Sequence, residues 1–171
     1  MRRFLGILAV LVAICPVFAQ QKPAPSTRYV DKQMNYAFQP PQGWTKIDTL
    51  PRPMIAYKAV VTEGFAPNFY VNFHGAPVEA GQEQKFLKEV EKAYKTQGKM
   101  TPIVQTKLGG KTAYTWRVTL TSQNAKGIET RQVVCFYKRR AYELTFTNPV
   151  AQHKRYDPIC DKILTSFQFT K

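Results

Sequence analysis

Along most of the chain hydrophobic and polar positions alternate with a period of two, and a helical period replaces it in only two places. Tyr36-Ala37-Phe38 runs into Pro40-Pro41-Gln42-Gly43-Trp44, which predicts a turn joining two short strands. Met54–Thr62 and Asn68–His74 are apolar, β-branched and aromatic runs separated by Glu63-Gly64-Phe65-Ala66-Pro67, and both read as strands. The strictest alternation follows: Thr112, Tyr114, Trp116, Val118 and Leu120 face one way, and Ala113, Thr115, Arg117, Thr119 and Thr121 the other. The bulky side is core. Ile128–Lys138 and Ala141–Thr147 continue as a hairpin around Arg139-Arg140, and because neither arginine favours positive φ, a loop longer than two residues is expected.

The first helical stretch places Phe86, Leu87, Val90, Ala93 and Tyr94 on one side and Lys85, Lys88, Glu91, Lys92 and Lys95 on the other, with Gly98 as its C-terminal cap. Its apolar stripe is expected to dock on the chain's own sheet. A second helix is expected to begin at Asp157-Pro158, where Asp accepts from free backbone N–H groups and Pro has the φ of a first turn. Tyr156, Ile159, Cys160, Ile163, Leu164 and Phe167 then share one buried face. Clustered strands, two packed helices and no βαβ alternation indicate an α+β domain whose antiparallel sheet is covered on one or both sides.

Composition narrows the functional classes. The 171 residues suit one domain, and 44% hydrophobic with 13% aromatic residues is enough for a core, which excludes a wholly disordered chain. Three Cys and two His leave little for a metal or His-based catalytic centre, and His74 and His153 lack a second ligand at helical or hairpin spacing. No nucleophile elbow, phosphate-binding loop or H-E-x-x-H occurs, and Leu108-Gly109-Gly110-Lys111 reads as a strand-to-strand turn. Glu79 and Glu83 suit acid/base work less well than Glu83 suits a helix dipole. The expectation is no catalytic residue, no metal and no cofactor.

Arg2 and Arg3, the apolar run Phe4–Ile14 and Val17-Phe18-Ala19 have the order of a secretory signal, cleaved between Ala19 and Gln20. The apolar run is short for a membrane anchor, and Ile14 argues against lipidation of Cys15. Residues 1–19 are thus a signal peptide, 20–34 a flexible leader whose Gln20–Asp31 stretch lacks either period, and 35–171 one domain. The protein is expected to be exported, periplasmic or extracellular. With 25 Lys+Arg against 11 Asp+Glu the chain carries +14, and loss of Met1–Ala19 leaves +12. Outside the cytoplasm that charge favours an acidic envelope component, an acidic protein or peripheral membrane contact, with nucleic acid disfavoured. Lys138, Arg139 and Arg140 are the leading anion-contact candidates, with Lys107 and Lys111 or Lys154 and Arg155 as candidate additions.

The order of features resembles the PsbP-like family, which includes PsbP, DcrB-type and Mog-type proteins. The matching stretches are Tyr36-Ala37-Phe38 with Pro41-Gln42-Gly43-Trp44, the helix around Phe86-Leu87, Gly110-Lys111-Thr112-Ala113-Tyr114, Ala141–Phe146 and Ile163–Phe167. The resemblance implies an αβα sandwich around a central antiparallel sheet and non-catalytic accessory or binding work. A photosystem-associated accessory subunit and an unrecognised envelope hydrolase are the alternatives, and a purely structural envelope subunit is a third. A disulfide between Cys135 and Cys160 is also expected, because a close hairpin puts Cys135 opposite Leu144, on the face that the second helix covers.

Overall fold

The computed structural model describes residues 27–51, 54–61, 64–74, 76–121 and 127–171. The expected signal peptide, its cleavage site and Cys15 lie outside the described residues. Eleven strands and two helices are seen among them, and every strand pairing is antiparallel. The small sheet has the order β1-β2-β11, from β1 (Tyr29–Asp31), β2 (Tyr36–Phe38) and β11 (Gln168–Phe169). In the large sheet β3 (Thr45–Ile47), β4 (Ile55–Lys58), β5 (Asn68–Phe73), β10 (Arg140–Pro149), β9 (Ile128–Tyr137), β8 (Lys111–Leu120) and β6 (Gly98–Met100) follow one another. β7 (Val104–Leu108) also pairs with β8.

Alternation on the long central strands divides the core into two layers. On one face Tyr114, Trp116, Val118, Val134 and Ala141 meet Leu87, Phe86, Val90 and Tyr94 of α1 (Glu83–Lys95). The opposite face carries Phe69, Val71, Ala113, Val133, Cys135, Tyr142, Leu144 and Phe146. These pack under Cys160 and Ile163 of α2 (His153–Ser166), and under Tyr36 and Phe38 of the small sheet. The result is the expected α+β sandwich, with α1 outside one face and α2 beside the small sheet outside the other.

The detail departs from the sequence reading in several places. The 20–34 leader is too long, because Tyr29–Asp31 is already paired to Tyr36–Phe38 and Tyr29 packs on Phe38. Gly98 does not cap α1. The helix ends at Lys95 with Thr96 as its cap, while Gly98 lies in β6, where an added Cβ would stand 2.0 Å from the Thr119 carbonyl oxygen. That close approach is what requires glycine. Ala93, expected on the buried stripe, is exposed.

Helix α2 starts at His153, after a 3-10 turn at Val150–Gln152, so Pro158 is inside it. The carbonyl that Pro158 leaves without a helical partner belongs to exposed Lys154, where water can take the bond. The β9–β10 turn has two residues and no more, since Arg140 pairs with Tyr137. That shift puts Cys135 opposite Tyr142 instead of Leu144, on the same face because the change is two residues.

The expected disulfide between Cys135 and Cys160 is not formed. Cys135 sits near the turn, pairing with Ala113 and donating to the Thr112 carbonyl at 3.4 Å, whereas Cys160 feels the charges of Arg131, Asp157 and Asp161. Arg131 is four residues from Cys135, about 13 Å along the strand. Both cysteines are free and buried, and burial pushes each thiol up to about 12.

Candidate functional site

Lys138 and Arg139 are the two central residues of the β9–β10 turn, and both have positive φ, 49° and 60°. The pair of left-handed residues gives the twist that a two-residue hairpin needs. The conformation costs an ordinary L-residue roughly 1–2 kcal/mol, which Gly avoids and Asn partly avoids. Three consecutive cations are thereby held at the sheet's end, all of them exposed.

Their surroundings differ. Arg139 is neutralised by Glu79, and its carbonyl accepts from Val78 N at 3.0 Å, which ties the β5–α1 connection to the turn. Lys138 Nζ lies 5.3 Å from the Tyr137 ring centroid, and Lys111 Nζ lies 5.6 Å from the same centroid. Arg140, in register with Tyr137, brings Nη1 to 3.6 Å from Met34 Sδ. Among the described residues no carboxylate lies within ion-pair distance of Lys111, Lys138 or Arg140. Beside them opens a cleft of about 530 Å³, whose walls include Met34, Phe73, His74, Pro77 and the three turn cations.

Of the candidate additions, Lys111 joins the cluster through Tyr137. Lys107 pairs across β7–β8 with Thr112, on an edge strand. Lys154 and Arg155 begin α2 beyond the far end of β10, roughly 30 Å from the turn. Glu79 and Glu83 do not act together, since Glu79 holds Arg139 and Glu83 opens α1. His153 Nδ1 is 2.8 Å from the Val150 carbonyl oxygen, and among the described residues no group of His, Cys, Asp or Glu could hold a metal. Tyr114 and Trp116 point into the α1 layer, as expected.

Two polar clusters escaped the sequence reading. Glu143, with a side chain 7% exposed, accepts from Tyr94 Oη at 2.9 Å and lies 3.1 Å from His74 Nε2. Burial, and the Glu143 charge after it, pushes the Tyr94 hydroxyl far up. His74 also meets the Phe86 ring edge-on and borders a second cleft, of about 330 Å³, under α1. An acid within the apolar Ala141–Phe146 run was the available signal. On the other face Arg117 and Arg131 are directly opposed, a repulsive cross-strand pair. Arg117 is held by Glu129 at 2.5 Å and Asp157 at 2.8 Å, and Arg131 by Asp161 at 2.7 Å. Asp157 and Asp161, four apart on α2, therefore strap that helix to the sheet.

The PsbP family model matches residues 25–169, which takes in both layers and the turn. The chain belongs to the PsbP family. A solution structure of cyanobacterial PsbP (CyanoP) from Synechocystis sp. PCC 6803 is similar, with a TM-score of 0.60 at 14% identity, covering 96% of this chain and 99% of that one. LpqN of Mycobacterium tuberculosis, described as involved in cell envelope biogenesis, has a TM-score of 0.59 at 11% identity, covering 80% of this chain and 83% of its own. A crystal structure from Bacteroides thetaiotaomicron VPI-5482 has a TM-score of 0.61 at 11% identity, and this chain spans about half of it: 86% of this chain against 49% of that one. No curated protein matches. At these identities the three structures share a fold with this chain, and a fold does not fix a function. No helix among the described residues is long and apolar enough to cross a membrane.

Proposed function

We propose that this PsbP-family chain is an exported, non-catalytic accessory or binding protein that engages an acidic partner or envelope surface through Lys138, Arg139 and Arg140. The observation that carries the reading is the β9–β10 turn, where a left-handed backbone presents three exposed cations beside a cleft. Export is supported by the signal-like order of Arg2-Arg3, Phe4–Ile14 and Val17-Phe18-Ala19 and by the envelope role stated for LpqN.

One exposed ion pair yields about 0–1 kcal/mol, so useful affinity needs several cations acting together. Such binding weakens with salt, because the Debye length falls from about 10 Å at 0.1 M to about 3 Å at 1 M. Retention on native envelope material and on anionic vesicles is measured from low to high salt, for the parent and for Lys138→Ala/Arg139→Ala/Arg140→Ala. The expected result is salt-sensitive retention that the triple variant loses while it keeps its fold. Equal retention by the variant removes the patch, and salt-insensitive retention replaces the electrostatic reading with an apolar one.

A further inference from the structure

The turn cations that lack a carboxylate partner among the described residues form an ordered row. Lys111, Tyr137 and Arg140 stand at the ends of three neighbouring strands, on the face that also carries Cys135 and Tyr142. Arg140 pairs directly with Tyr137, and the Ala113–Cys135 pairing carried two residues further puts Lys111 opposite Tyr137. A cation, a ring and a cation thus lie side by side across about 10 Å of sheet, two strand spacings. The ring is fixed from behind by Phe169, centroid to centroid 4.3 Å. On the Arg140 side the row runs into the cleft walled by Met34 and Phe73.

We propose that this row and cleft take an extended acidic peptide segment, with one carboxylate bridging Lys111 and Lys138 beside the Tyr137 ring and a second at Arg140. Successive same-side residues of an extended chain are about 6.6–7 Å apart, a separation that the flexible Lys and Arg side chains bridge over the 10 Å row. An apolar residue of the segment then enters between Met34 and Phe73. The recess favours a narrow chain over a bilayer, whose flat surface meets a convex cation patch better than a cleft. Lys107 stands outside the site, because it pairs with Thr112 and so lies on the other face of the sheet from Lys111. The proposal deepens the functional reading above and rests on it.

The test uses three single variants, Lys111→Gln, Arg140→Gln and Lys107→Gln, each removing one positive charge from an exposed side chain. The probe is a fluorescein-labelled octapeptide of alternating Glu and Leu, followed by polarisation at 0.1 M salt, with phosphatidylglycerol vesicles as a parallel arm. Long-range attraction changes equally in all three variants, so only a built row separates them. The expected result is a loss of roughly three- to fivefold for Lys111→Gln and for Arg140→Gln, more than tenfold for the double variant, and little change for Lys107→Gln. Melting temperatures confirm that the variants fold. Equal losses in all three overturn the row while leaving a general basic surface, and vesicle binding without peptide binding overturns the peptide in favour of a membrane. Absence of both overturns the acidic-partner reading as well.

Discussion

Lys138 and Arg139 are conformationally misplaced: a two-residue turn of this hand favours Asn-Gly, and both residues are basic and long. Exchanging them for the preferred pair relieves the left-handed penalty in the folded state, although the added Gly loosens the unfolded chain. Lys138→Asn/Arg139→Gly is therefore expected to be more stable by about 1 kcal/mol, raising the melting temperature by about 2–4 °C for a chain of this size. The same variant should bind acidic material less well. A lower melting temperature would show that the pairing of Arg139 with Glu79 outweighs the backbone strain. The thiols give a second check at this scale. Cys135 and Cys160, both pushed up to about 12 by burial, stay protonated and unreactive in the folded protein at neutral pH and react once it unfolds. Since the unfolded state loses those protons first, stability is intact below pH 9 and falls as pH rises from 9 towards 12. A Cys135→Ala/Cys160→Ala variant should show a shallower fall between pH 9 and 11. Thiol titration that finds neither cysteine reactive in denaturant without reductant would restore the disulfide.

Among the elements, the long alternating strands and both amphipathic helices were legible because burial imposes a period on the sequence. The short strands were not. Gly98–Met100 and Gln168–Phe169 have two or three residues each, too few for any period, and they exist because β8 and β2 offer them free edges. Gly98 shows how a local signal misleads: a glycine four residues past a helix face resembles a cap, and only the pairing of β6 with Leu120 reveals the need for a missing Cβ. Gly98→Ala forces backbone apart where nothing flexible can yield. The expected cost is about 3 kcal/mol, read from urea unfolding, with β6 amides losing protection. A cost below about 1 kcal/mol would mean that β6 detaches easily and adds little. At the candidate site the cations were legible from composition, whereas their convergence on Tyr137 needed the two-residue turn. In the sequence Asp157 looks like a helix cap, because its strap to Arg117 depends on α2 packing over a strand 40 residues away.

At the scale of the molecule the two layers are unequal, and the inequality predicts how the protein opens. The α2 face is apolar almost throughout, with Tyr156, Cys160 and Ile163 buried, the small sheet beside it and the Arg117–Asp157 and Arg131–Asp161 straps at its margin. Helix α1 buries Leu87 fully and only part of Phe86, Val90 and Tyr94. Beneath it the sheet presents Glu143, Thr145 and Gln132 as well as apolar groups, with Thr145 Oγ1 donating to Gln132 Oε1. Local unfolding follows the element with the fewest buried apolar contacts, and burial of a large apolar side chain contributes roughly 1.5–3 kcal/mol. The α1 amides are therefore expected to exchange at least tenfold faster than those of α2 under native conditions. Removing the Tyr94 hydroxyl, which donates to buried Glu143, should widen the gap: Tyr94→Phe leaves a buried carboxylate short of a donor and speeds exchange in α1 while α2 is unchanged. Equal protection of the two helices would refute the layered order. Faster exchange of both in Tyr94→Phe would mean that the sandwich opens only as a whole, with the His74–Glu143–Tyr94 cluster contributing to global stability instead of pinning one layer.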